Sequence, residues 1–221
     1  MAGTLTAVAE RVRETQAQRR ARMRTRLLDA AVASLVEVGY AGTTTLAVQQ
    51  RAAVPRGTLQ HHFPTKADLL AGVVEHLAQR RSAQLTSEFE AITPDIDRLT
   101  AAVELTAKML SGPSFVAALE IWVGARTDPE LRMAFLPLEN RLFELMHTSI
   151  RDAFRQEFPD DPRVPTITDF TIEIMTGQAL RTLLAGDDER NRVVQHRWRN
   201  AVQVLLGTAD AASLLAPPSR S

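Results

Sequence analysis

The sequence predicts an all-α protein, on three observations. Apolar residues recur at helical spacing over long windows, strand-like alternation is absent, and Pro- or Gly-containing breaks separate the windows. Residues 1–22 are polar and arginine-rich, and read as a basic N-terminal arm. A first helix, about 22–38, carries Leu27, Leu28, Ala31, Val32, Leu35 and Val36 on one stripe, and Gly39 supplies its stop.

Residues 43–66, TTTLAVQQRAAVPRGTLQHHFPTK, are the most informative stretch. They read as two short helices around a tight turn, with a third helix starting at once. Thr44 or Thr45 caps the first, because a threonine hydroxyl accepts an orphan backbone N–H. Val48 and Ala52 repeat at helical spacing. Pro55 suits a first turn, so the next helix starts near Pro55–Gly57. It is short, since Pro64 biases Phe63 away from helical angles and Thr65 can cap the third helix. Tyr40, Phe63, Leu46 or Val48, Leu59 and Leu69 form the expected core of this three-helix unit. Two turns bearing Arg56, Thr58, Gln60 and His61 have the size and chemistry to enter a DNA major groove.

A longer helix, about 65–90, runs out of this unit into a larger body and is broken at Thr93-Pro94. Further helices are expected at about 95–111, 114–126, 128–157, 166–185 and 188–208. Their stops are Gly112-Pro113, Asp128-Pro129, the Phe158–Pro162 segment and Gly186-Asp187-Asp188. Pro217-Pro218 closes a tail read as disordered.

Composition narrows the function. With no cysteine, disulfides, thiol catalysis and thiolate metal sites are excluded. No apolar run approaches the ~20 residues that span a bilayer, and the N-terminal segment lacks the apolar core of a secretory signal. A cytoplasmic location is the expectation. The net charge is zero, yet residues 1–82 carry twelve Lys/Arg against six Asp/Glu, leaving an acidic remainder. A basic end on an acidic body suits a protein that meets a polyanion at one end.

The segment RGTLQHHFPTKADLL resembles the recognition-helix signature of the tetracycline-repressor (TetR) family. A glycine-threonine-leucine step leads to a histidine-phenylalanine pair, followed by a turn residue and a lysine, here Phe63-Pro64-Thr65-Lys66. The resemblance covers about residues 24–72. LEIWVGARTDPELR (Leu119–Arg132) is similar to a body segment in one branch of these regulators. Three departures stand out: Gln49 replaces a small alanine, Ala53 a turn glycine, and Gln60-His61 frequent aromatics. Ala53 at positive φ would cost roughly 1–2 kcal/mol.

The resemblance implies an N-terminal three-helix helix-turn-helix DNA-binding domain at 23–72, then a larger C-terminal helical effector-binding and dimerisation domain at 73–210. The arm at 1–22 and the tail at 211–221 flank them. It implies a homodimeric repressor on an inverted-repeat operator, released by a small hydrophobic or amphipathic effector. Its recognition helix would be Arg56–Phe63. Within it Arg56 suits guanine O6/N7, Gln60 adenine N6/N7, Thr58 a thymine methyl or a phosphate, and His61 a phosphate. Thr44, Thr45 and Lys66, at helix starts, suit phosphates, and Gly57 allows close backbone approach. His62 and Phe63 are read as packing. The run Arg19, Arg20, Arg22, Arg24, Arg26 is either a minor-groove arm or a basic face.

The resemblance also places a dimer interface on the last two helices. Their apolar faces are Ile167, Phe170, Ile174, Leu180 and Leu184, and Val194, Trp198, Val202 and Leu205. Candidate effector-binding residues are Met109, Phe115, Leu119, Trp122, Phe135, Leu142, Met146 and Met175, an adaptable apolar set that plain core packing would also explain. Neither cofactor nor metal is expected: His61 and His62 point about 100° apart on a helix, without a ligand pattern around them. The competing readings are an all-α enzyme, for which no nucleophile or phosphate motif is present, a non-specific architectural DNA protein, and a helical adaptor.

Overall fold

The computed structural model describes residues 15–90, 98–186 and 188–215. Among them every regular element is helical. Helix α1, Gln16–Gly42, opens on a reciprocal cap: the Thr15 hydroxyl accepts the Gln18 N–H at 3.2 Å, while the Thr15 N–H donates to Gln18 Oε1 at 2.8 Å. This cap corrects the expected arm. The helix starts before residue 22, so Arg19, Arg20 and Arg22 stand on a helix and not in an extended segment. Residues 1–14 of that arm lie outside the described residues.

The α1 stripe Leu27, Leu28, Ala31 and Leu35 is buried, with Val36 at its exposed edge. Gly39 breaks the helix at φ 70°, a conformation glycine adopts without a Cβ penalty. A Cβ there would also approach Glu120 Oε2 to 3.0 Å. One further turn ends at Thr43, whose N–H and hydroxyl both donate to the Gly39 carbonyl, at 3.1 and 2.8 Å.

Helix α2, Thr45–Arg51, is capped by Thr44, whose hydroxyl accepts the Ala47 N–H at 3.1 Å. Val48 is fully buried and Leu46 is 59% exposed, which decides between the two as core. Ala53 carries the turn at φ 49°. Helix α3, Arg56–His62, follows Pro55 and ends at Phe63, held extended ahead of Pro64. Helix α4, Lys66–Glu90, starts on a second reciprocal cap between Thr65 and Asp68.

The body comprises α5 (Arg98–Met109), α6 (Gly112–Ala125), α7 (Pro129–Glu157), α8 (Val164–Ala185) and α9 (Asp188–Leu206). Each boundary lies within three residues of its expected place, as is usual for helix ends. Helix α7 continues through Pro137, whose missing N–H leaves the Met133 carbonyl without its helical donor. The expected disordered tail is corrected over its first part. Residues Ala211–Leu215 form a 3₁₀ turn, tied to α9 by the Asn200 amide donating to the Ser213 carbonyl at 2.8 Å. Residues 216–221 lie outside the described residues.

Two buried clusters organise the molecule. The first joins α1–α4 to α6 and the start of α7, through Leu28, Leu35, Leu59, Leu70, Ile121 and Leu131. The second lies among α5, the end of α7, α8 and α9, through Val103, Ile150, Phe154, Ile172 and Val202. The N-terminal helices therefore do not close a core of their own. Their apolar interior runs across the expected limit at residues 72 and 73 and onto α6.

Candidate nucleic-acid interface and apolar cleft

Helices α2 and α3 meet at the turn Ala52–Pro55, stabilised by the Ala53 N–H to the Gln50 carbonyl at 3.0 Å and the Val54 N–H to the Gln49 carbonyl at 3.3 Å. The left-handed Ala53 strains this turn by about 1–2 kcal/mol relative to glycine, as its sequence position implied. On the outer side a groove of about 220 Å³ brings together Thr45, Arg56 and Gln60 with Leu46 and Gln49. Arg56, Gly57, Gln60 and His61 are exposed, and Thr58 is half-buried. Neither the Arg56 nor the Gln60 side chain forms a hydrogen bond or ion pair with another described residue. A Cβ added at Gly57 would meet nothing within 4 Å, so no packing inside the chain explains this glycine.

The basic end of α1 lies beside α3. The Arg24 guanidinium sits 5.2 Å from the centre of the buried Phe63 ring and ion-pairs with Glu75 at 3.4 Å. Burial lowers the His62 pKa, and neighbouring His61, Arg20 and Arg24 lower it further, so this imidazole favours its neutral form. Arg19, Arg20 and Arg22 are exposed on the same part of α1.

Lys66 requires a correction. Its ammonium does not point outward to a phosphate. It donates to the Tyr40 carbonyl at 3.0 Å and lies 3.9 Å from the centre of the Tyr40 ring. Burial lowers its pKa, partly opposed by Asp128. The stem of a lysine at a helix start is long enough to turn inward, and a carbonyl plus an aromatic face replace its water there.

Tyr40, expected in the small core, packs against the first cluster and also joins the N-terminal helices to the body. Its N–H donates to Glu120 Oε2 at 2.8 Å, and its hydroxyl donates to Asp128 Oδ2 at 2.5 Å. Its ring occupies the space that a side chain at Gly124 would need: a Cβ there would come within 2.5 Å of it. Burial and the Asp128 hydrogen bond push the phenol pKa up to about 12. Asp128 is held below the usual carboxylate range by the Leu131 N–H and then by this phenol.

On the other side of α6 lies an apolar cleft of about 240 Å³. Phe115, Leu119 and Trp122 of α6 face Phe135 and Leu142 of α7, with Val74 and Leu180 completing the walls. Trp122 is 58% exposed at the mouth. The cleft also holds Glu139, which sequence reasoning missed; its place four residues after Phe135 and three before Leu142 was the available signal. A second cavity, about 400 Å³, is more polar and contains Glu104, Lys108, Gln178 and Asn191. Phe115 borders both.

The family model for "Bacterial regulatory proteins, tetR family" matches residues 27–73. An uncharacterized HTH-type transcriptional regulator of Mycobacterium tuberculosis is 30% identical over 171 residues, covering 75% of this chain and 85% of that protein. The chain belongs to the TetR family. Solved TetR-like folds agree in architecture. A transcriptional regulator from Rhodococcus superposes with TM-score 0.67 at 20% identity, covering 85% of this chain and 98% of the other. A regulator from Saccharomonospora viridis, solved with choline, superposes with TM-score 0.62 at 18% identity, covering 85% and 96%.

As a member of the TetR family the chain is a transcriptional regulator with an N-terminal DNA-binding unit. Among the described residues no helix is long and apolar enough to cross a membrane. Of the eight candidate effector residues, the cleft gathers Phe115, Leu119, Trp122, Phe135 and Leu142. It does not gather Met109 and Met146, which pack on the second buried cluster, or Met175, which is buried there and borders the polar cavity. Met109 and Met146 thus serve packing within the body, while Met175 lies between the core and the second cavity. The last two helices divide similarly. Ile167, Trp198 and Val202 are buried within the chain, whereas Phe170, Leu180, Leu184 and Leu205 are exposed.

Proposed function

We propose that this TetR-type regulator is a homodimeric repressor of an inverted-repeat operator, released when a small apolar or amphipathic effector fills the α6–α7 cleft. The observation that carries this reading is the two-sided use of α6. Phe115, Leu119 and Trp122 repeat at i, i+4 and i+7 and face the cleft, while Glu120 and Gly124 lie on the other side and hold Tyr40. Tyr40 ends α1, and its carbonyl holds Lys66 at the start of α4. The α2–α3 unit lies between those two points in the chain. A displacement of α6 by a ligand therefore acts on both supports of the reading helix at once.

On the operator, Arg56 and Gln60 read base edges, suited to guanine and adenine respectively. Thr58 touches a thymine methyl or phosphate, and His61, Thr44 and Thr45 bind phosphates. Gly57 lets the backbone approach the duplex, and the arginine face of α1 strengthens attraction to it. The exposed apolar residues of α8 and α9 pair two subunits about a two-fold axis, which sets two half-sites about 34 Å apart. The effector need supply only ~1–3 kcal/mol of preference between the two states to change operator affinity several-fold to about a hundredfold. A neighbour of the same fold holding choline supports a small-molecule effector.

Selection of bound fragments from sheared genomic DNA tests the reading. Recovery of one inverted repeat supports it, and recovery of fragments with no common sequence overturns it.

A further inference from the structure

We propose that Leu46 of α2 is a further specificity-determining residue of the DNA-binding unit, packing on the C5 methyl of one thymine in each half-site. This rests on the operator reading of α2 and α3 and goes beyond it by assigning a base contact to α2. Leu46 is 59% exposed, whereas Val48, two positions on, is fully buried. Two helical steps turn the chain by about 200°, so the two side chains leave α2 on opposite faces. Leu46 thereby lines the outer groove between α2 and α3 together with Arg56 and Gln60, and the same groove contains the buried Leu59.

A leucine exposed on its own calls for no explanation. This one shares a groove with two polar side chains that have no hydrogen-bond partner among the described residues. Among the residues lining that groove none is an acid, and the charged one is Arg56, which suits a duplex as the occupant. In the major groove the base edges present hydrogen-bond donors and acceptors, and one apolar feature, the thymine methyl. Set against a leucine, the polar atoms would lose water and gain no partner, which is costly. The methyl is instead removed from water by the contact, which is favourable. Leu46 therefore favours thymine on both counts. The three side chains divide the chemistry of the edge: Arg56 meets paired acceptors, Gln60 a donor beside an acceptor, and Leu46 the methyl.

Titration of the whole protein against the selected inverted repeat tests this, each symmetry-related pair of thymines being replaced in turn by deoxyuridine, which removes the methyl alone. At one pair the replacement should weaken binding on the order of tenfold, since two methyl contacts are lost. Leu46→Ser should bind the unaltered repeat correspondingly more weakly and make that pair indifferent to the replacement. Leu46→Met, which keeps an apolar side chain of similar length, should retain the sensitivity. So should Thr58→Ser, which removes the methyl of the neighbouring candidate on α3. Indifference of every pair in the unaltered protein overturns the assignment of Leu46 alone. The same holds for unchanged sensitivity in Leu46→Ser, for loss of the sensitivity in Thr58→Ser, and for loss of all repeat binding in Leu46→Ser, which would make Leu46 a structural residue. Failure to recover any repeat bound more tightly than random duplex overturns the operator reading, and this assignment with it.

Discussion

At the scale of single residues, side-chain direction separates reading from support. The Gln60 side chain is exposed and has no hydrogen-bond partner among the described residues, and its amide can pair with both polar atoms of an adenine edge. Gln60→Ala should therefore relax preference at one operator position and cost ~1–3 kcal/mol on the cognate site, measured by binding to single-base variants. An unchanged preference profile would remove the base-reading role. Tyr40 is the single tyrosine of the chain, so its phenol can be titrated by ultraviolet absorbance without interference from another. The midpoint should lie near about 12, and fall toward the ordinary value of about 10 in Asp128→Asn. The sign follows from the neutral phenol being the donor. Folding favours the protonated form, so the contribution to stability is complete below about pH 10 and is lost as pH rises toward about 12. A midpoint near 10 in the unaltered protein would contradict the buried, hydrogen-bonded position.

At the scale of elements, the proposed switch acts on α2–α3 through α4 and α6, which carry Lys66 and the Tyr40 neighbours Glu120 and Gly124. Had Lys66 neutralised a phosphate, its removal would flatten the salt dependence of operator binding by about one unit. Its inward position predicts otherwise: Lys66→Met should leave the salt slope unchanged and lower the unfolding temperature. Trp122→Ala should weaken the effector response while sparing effector-free operator affinity, since Trp122 stands at the mouth of the cleft and outside the buried core. Equal loss of both would make it a structural tryptophan. Much of this level was legible in the sequence. Pro55, Pro64, Gly39 and the threonine caps act locally, so helix limits around α2 and α3 followed from residue chemistry alone. The inward turn of Lys66 was not legible, because it depends on Tyr40, twenty-six residues earlier, being fixed by Glu120 and Asp128. The same holds for Glu139, whose environment is made by three other helices, and for Met109, Met146 and Met175, since helical spacing alone does not distinguish a cavity wall from a packed interior.

At the scale of the whole molecule, the exposed arginines of α1 and the exposed apolar side chains of α8 and α9 belong to different parts of the chain. The basic face of α1 lies beside the exposed donors of α3, while exposed Phe170, Leu180, Leu184 and Leu205 lie on α8 and α9, where the proposed dimer contact falls. Such an arrangement suits a two-fold dimer that presents two reading helices to one face of a duplex. The first buried cluster runs without a break from the DNA-binding helices onto α6 and the start of α7. Close-packed cores transmit strain instead of absorbing it, so a small ligand can act on DNA affinity through this path. Sequence-specific binding is the central claim, and its most direct test is titration of the selected inverted repeat against random duplex at one fixed salt concentration. Binding to the repeat should be at least ~10³-fold tighter, with one dimer bound per repeat. Equal affinity for both duplexes would contradict it, and would leave a protein that binds DNA through charge alone.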